Sequence, residues 1–137
     1  MNAYAFTRLI HVLVAVLGIG LITAGAILTR PSTGLAPIAI RSLARWASAA
    51  MLVMFVSGML LDYFSAGAFH HATWFRLAIA ASIAAGVVVG YARRAIGQAI
   101  AGKSDSERAV RRAAGAIRIA LVLVAFIVVL MVRRPFE

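Results

Sequence analysis

The sequence predicts an all-α integral membrane protein, a four-transmembrane antiparallel helix bundle with both termini on the periplasmic side. Three observations predict it. Of the 137 residues 64% are hydrophobic and only 13% charged, and the mean hydropathy is +0.98, whereas soluble domains have about 45–50% apolar residues. The apolar residues gather in four runs, each near the roughly 20 residues that a helix needs to cross a hydrocarbon core of about 30 Å. The cations, 14 Lys and Arg against 4 Asp and Glu for a net charge of +10, flank those runs, which is the signature of membrane topology rather than of nucleic-acid binding. The length fits one domain, residues 1–137.

The first run, about Leu9 to Leu28, is longer than the apolar core of about 7–15 residues in a signal peptide. It is followed by Thr29-Arg30-Pro31 rather than by a small-x-small cleavage site. Arg8, His11, Ala15, Gly18, Ile22, Gly25 and Thr29 recur within it at steps of three and four. They form one face of mostly small residues, expected to point into the bundle because small side chains let helix backbones approach. Pro31, Gly34 and Pro37 keep the following connection irregular, and Pro37 suits the first turn of the next helix.

The second run spans about Leu43 to Leu61, and Met51, Met54, Gly58 and Asp62 share one of its faces. That stripe fits either flexible core filling or a thioether ladder for a soft metal. The third run, about Phe75 to Ala92, contains Gly86-x-x-x-Gly90 with Ser82 one turn earlier, a close-packing face inside the bundle or against another subunit. The fourth covers about Ala113 to Val132. Ahead of it, Ser104-Asp105-Ser106-Glu107 reads as a capping box, so the helix should start several residues before it enters lipid. Glu107 and Arg111 then form an i,i+4 pair on its wet turn, and Arg118 can snorkel to the interface.

Charge sets the expected orientation. Arg30, Arg41, Arg45, Arg93, Arg94, Lys103, Arg108, Arg111 and Arg112 lie in or beside the connections after the first and third runs, and only Arg8, Arg76, Arg133 and Arg134 lie at the other side. The richer side should be cytoplasmic. Both termini and the loop from Asp62 to Arg76 then face outward, in a bacterium toward the periplasm. The Arg93 to Arg112 stretch has no neighbouring aromatic residue but Tyr91, so it lacks the stacking platform of a nucleic-acid site.

Absences narrow the chemistry. The chain has no cysteine, which excludes disulfides, thiolate metal sites and thiol nucleophiles. The predicted membrane interior holds no Asp or Glu for proton-coupled export. There is no HExxH pair, no Ser/His/Asp arrangement and no phosphate-cradling glycine loop. What remains is histidine and methionine. His11 lies roughly one turn inside the first apolar run, and an intramembrane ionisable group is a functional candidate by default, although a neutral histidine bonded to a neighbouring helix explains it equally well. His70-His71 occupy the loop that opens on the same side, where an adjacent pair is also simply solvated. Asp62, Met59 and Met131 belong to that level too. Imidazole and thioether donors suit copper, and imidazole also suits haem iron.

Arg8-Leu9-Ile10-His11 opening the first helix, Thr29-Arg30 closing it, Ser57-Gly58-Met59-Leu60 in the second, Trp74-Phe75-Arg76-Leu77 starting the third and Val132-Arg133-Arg134-Pro135 ending the fourth resemble small four-helix bacterial membrane proteins of the copper-resistance-D-like superfamily. The outline is similar to that of the SirB-like group and spans nearly the whole chain. The resemblance implies metal or haem handling in the bacterial inner membrane: one branch moves copper, and another, the haem-bound protoporphyrinogen oxidases, uses a first-helix histidine as iron ligand, which by position is His11 here. That oxidase branch has a lysine near the start of its third helix where this chain has Arg76. Arginine stays protonated and does not ligate iron, which counts against the oxidase activity; it still suits a haem propionate.

Two functional expectations follow. In the first, the chain is a multi-pass protein of the bacterial inner membrane that binds or handles copper or haem b at the periplasmic end. His11 is then the primary ligand and His70 or His71 the second, with Met59 or Met131 for copper and Arg8 and Arg76 balancing an anionic haem edge. In the second, it is a cofactor-free structural or assembly subunit, held in a homo-oligomer or larger membrane complex through Gly18, Gly25, Gly86 and Gly90. A small-solute permease is disfavoured because no pair of broken helices marks a midplane site.

Overall fold

A computed structural model describes residues 2–29, 37–103 and 105–133. Four helices make up the fold: α1 (Ala3–Leu28), α2 (Pro37–Phe64), α3 (Thr73–Ile100) and α4 (Ser106–Arg133). All four are long and apolar enough to cross a membrane, and their composition marks the chain as a multi-pass membrane protein. Each extends past its apolar run, because a helix continues through polar residues until a cap satisfies its terminal groups. With 26 to 28 residues they measure about 39–42 Å. Arg30, Pro31, Gly34, Ser104 and Arg134 lie outside the described residues, so the first connection expected around them does too.

The ends are stopped by local chemistry. At the start of α1 the Asn2 side chain accepts from the Ala5 N–H at 2.8 Å. At its end the Thr29 hydroxyl donates back to the Gly25 carbonyl at 2.7 Å. α2 closes in a Schellman arrangement, with Gly67 N–H donating to Asp62 O at 2.9 Å and Ala66 N–H to Tyr63 O at 3.1 Å. The left-handed position there is held by Ala66, φ 55°, an uncommon conformation for a residue with a Cβ. α3 ends the same way, Lys103 N–H donating to Gln98 O and Gly102 N–H to Ala99 O, this time with glycine at φ 69°.

The start of α4 departs by one residue from the capping box read in the sequence. Asp105, not Ser104, precedes the helix: its carboxylate accepts from the Glu107 N–H at 2.9 Å and its carbonyl from the Ala109 N–H at 3.0 Å. An aspartate caps as well as a serine and here also pairs with Arg108 at 3.4 Å. Glu107 is turned toward Arg111, 2.8 Å away, as the i,i+4 spacing predicts.

The helices form a ring in which each packs on its sequence neighbours and α1 closes against α4. The most extensive packing joins α3 to α4. Its seam is alanine-rich: Ala78, Ala85, Ala92 and Ala99 recur every seven residues on α3 and are buried, Ala85 and Ala92 clustering with Ala113, Ala116 and Ala120 of α4 and Ala78 with Ile127 and Leu130. Ile22, Ile40, Val89, Ile96, Ile117 and Val124 fill the shared core. Outside, Val16, Leu17, Val87 and Val122 are each more than 60% exposed. Small residues within and large apolar ones without is the pattern of helices that associate by close packing in lipid.

The inward stripe of α1 is largely as expected. Gly18, Ile22, Gly25 and Thr29 are buried, Gly18 lying against Ala50 and Gly25 against Ile117. Toward the N-terminus the face drifts, because 3.6 residues per turn do not match steps of three and four indefinitely. Thr7 takes the buried place there and Arg8 is exposed. Gly86 and Gly90 have nothing within 4 Å of an added Cβ, which removes the inside-the-bundle alternative for that pair. The alanines do the close packing instead, and Arg118 lies exposed on the outer surface.

Candidate functional site

His11 sits in the third turn of α1, half-buried. Its Nδ1 is 2.9 Å from the hydroxyl oxygen of Ser57 on α2. Ser57 is itself buried, and its hydroxyl donates to the Met54 carbonyl at 3.0 Å. A hydroxyl has one proton, so with that proton on the Met54 carbonyl, the Ser57 oxygen accepts from Nδ1–H. The neutral ring therefore carries its proton on Nδ1 and keeps a lone pair on Nε2, which is the arrangement that prepares a histidine to ligate a metal. Gly58 gives the ring its place: a Cβ there would stand 3.4 Å from His11 Cε1.

Beside the ring lies a cavity of about 30 Å³ lined by His11 of α1, Met54, Phe55, Gly58 and Met59 of α2, Phe75, Ala78, Ile79 and Ser82 of α3, and Met131 of α4. All four helices contribute. The Ser82 hydroxyl donates to the Ala78 carbonyl at 2.7 Å; the soft donors at the cavity are the imidazole nitrogen and three thioether sulfurs. The volume suits a single ion or one to two waters, since about 10–15 Å³ of such space holds one water. It does not fit haem, because cofactor pockets are about 300–1,000 Å³. Arg8 and Arg76, expected to balance a haem edge, are exposed and do not line the cavity.

His70 and His71 are not among the cavity's lining residues. Their exposed rings lie against each other with centroids 3.8 Å apart. Asp62, buried at the end of α2, accepts from the Phe69 N–H at 2.8 Å and stands 3.7 Å from His70 Nδ1. Arg76 Nε donates to the His70 carbonyl at 3.1 Å. Gly67 has φ 74°, a left-handed backbone that favours glycine, and the His70 ring lies over it, 2.6 Å from where a Cβ would stand. The loop is thus folded on its own α2 end. Among the described residues no three His, Asp or Glu side chains are grouped to hold a metal ion, so the three histidines do not gather at one point.

The sequence reading singled out His11, Met59 and Met131, which the bundle brings to one cavity. It placed Met54 in a ladder with Met51, and the structure divides them: Met51 packs in the central core, whereas Met54 walls the cavity. The contributions of Ser57, Phe75 and Ser82 to this site were not anticipated. Ser57, a hydroxyl set beside a glycine one turn after Met54 in an apolar run, was the available signal. Compared with known protein families, with curated proteins and with solved structures, the chain finds no match.

Proposed function

We propose that the chain is a multi-pass protein of the bacterial inner membrane that binds copper(I) as its cargo in the His11 cavity, at the end facing the periplasm. The observation that carries this reading is the pairing of His11, held through Nδ1 by Ser57, with three methionines around a cavity of about 30 Å³. Thioether and imidazole are the donors a soft monovalent ion prefers, and the lining has no carboxylate, so a monovalent ion is less costly there than a divalent one. His11 would ligate through Nε2 and Met54, Met59 and Met131 through sulfur. Ser57 orients the ring, and Phe75 with Ile79 keeps water away. Met59 and Met131 are partly exposed, which gives the ion an exchange path from outside. Haem has no room in this reading, and the His70-His71 pair takes no part in it. Orientation follows from the excess of Lys and Arg at the opposite end.

The test is elemental analysis for copper and iron on protein purified in mild detergent, before and after loading with copper(I). Stoichiometric copper is expected, lost in His11→Ala and weakened in Met131→Leu while both variants still insert. Failure of intact protein to load would leave His11 with its structural bond to Ser57 and favour the cofactor-free membrane subunit. Iron with a haem spectrum would overturn the argument from volume.

A further inference from the structure

From the flank of the His11 cavity, with which it shares Phe55 and Ser82, toward the other end of the bundle, α2 and α3 leave a furrow on their outer side. Its first part is an apolar trough of about 240 Å³ between Ser48, Leu52 and Phe55 of α2 and Ser82, Ile83 and Gly86 of α3. One turn further along α3, Gly90 begins an open basic pocket of about 560 Å³ lined by Arg41, Arg93, Arg94 and Lys103. Gly86, Gly90 and Gly97 have open space where a side chain would stand, so three missing side chains give the furrow its depth.

Among the described residues the charge of this pocket has no acidic counterpart. The chain has 4 acidic residues. Asp62 belongs to the opposite end and stands by His70, Asp105 pairs with Arg108 and Glu107 with Arg111. Glu137 lies outside the described residues. The negative C-terminal end of α3 and the positive N-terminal end of α2 adjoin the pocket and offset each other, leaving the four side chains to set its sign.

We infer that the furrow binds one anionic phospholipid, its phosphate held by Arg41, Arg93, Arg94 and Lys103 and one acyl chain lying in the trough over Gly86. A lipid is favoured over a free anion because the basic pocket begins one turn of α3 beyond an apolar trough on a surface of membrane-spanning helices, and basic pockets between such helices hold anionic headgroups. The inference is independent of the copper reading.

The experiment is thermal unfolding of the delipidated full chain in neutral detergent, with phosphatidylglycerol, phosphatidylcholine or inorganic phosphate added. Phosphatidylglycerol should raise Tm and the other two should not. Replacing three cations together (R41Q, R93Q and R94Q) should weaken phosphatidylglycerol roughly a hundredfold. Gly86→Leu, whose side chain enters open space, should leave the lipid-free Tm in place and abolish the acyl-dependent part of the stabilisation. Equal stabilisation by inorganic phosphate would make this a simple anion site, and equal stabilisation by phosphatidylcholine would make it non-specific coating. An undiminished response in Gly86→Leu would exclude the trough. Each of these three results overturns the inference.

Discussion

The α3–α4 seam, made by two helices, and the His11 corner, lined by all four, differ above all in the evenness of side-chain size. Along the seam, alanine meets alanine at seven-residue intervals and the helices close on each other without space to spare, Ala85, Ala92, Ala113 and Ala120 being 0% exposed. At the corner, glycine, serine, methionine and phenylalanine alternate, and the mismatch leaves a cavity with a histidine beside it. Uniform packing gives rigidity and no room for chemistry. Room for an ion arises where long flexible thioethers stand next to residues with almost no side chain.

Enlarging the seam is the sharpest way to break that contrast. Ala92→Leu or Ala120→Leu should cost about 1–3 kcal/mol by overpacking, seen as a lower Tm in detergent, whereas Val87→Leu on the outer surface should do nothing measurable. If the seam variants were as stable as the outer one, the tight closure described for α3 and α4 would be wrong. At the opposite corner, Asp62→Ala leaves the Phe69 N–H without its acceptor and should cost about 1–3 kcal/mol, with proteolysis of the 65–72 turn increasing before the helices melt. Ser57→Ala should cost about 1 kcal/mol and, more tellingly, release the His11 tautomer. Nitrogen NMR of a labelled imidazole should then show a mixture of Nδ1–H and Nε2–H forms in place of one. The smallest effect has the opposite sign. Ala66→Gly relieves the left-handed backbone at φ 55° and should stabilise by about 0.5–1 kcal/mol.

The helices were legible because the bilayer imposes the signal: roughly twenty apolar residues in a row serve little else. Their full lengths were not, since Ser65 and Lys103 lie beyond the apolar runs and the chain stops turning only where a cap intervenes. The seam was present in the sequence as the heptad Ala78, Ala85, Ala92, Ala99, but Gly86 and Gly90 are the stronger local cue, and only the rotation of α3 about its axis shows that they face outward. Met59, Met131 and His11 could be placed at one level from topology alone. The bond from His11 to Ser57, 46 positions away, could not, for it depends on the relative rotation of α1 and α2. The same holds for His70, whose position is decided by Asp62 and by a positive backbone angle at Gly67.

Of the four helices α1 is the least enclosed, only 17% of its most apolar stretch being buried against 33% in α3 and α4. Much of its surface is only partly covered by protein, and one side of it is open to the surroundings. The apolar run of α1, about Leu9 to Leu28, is about 30 Å long and matches a core of about 30 Å; a thinner bilayer is met by tilting, and the tilt follows the thickness. His11 is only about 12 Å from the helix start along that axis, so its depth below the water boundary is set as much by the membrane as by the fold. Thicker bilayers draw the imidazole away from water and thinner ones bring it closer, which makes lipid composition a dial on how accessible the cavity is.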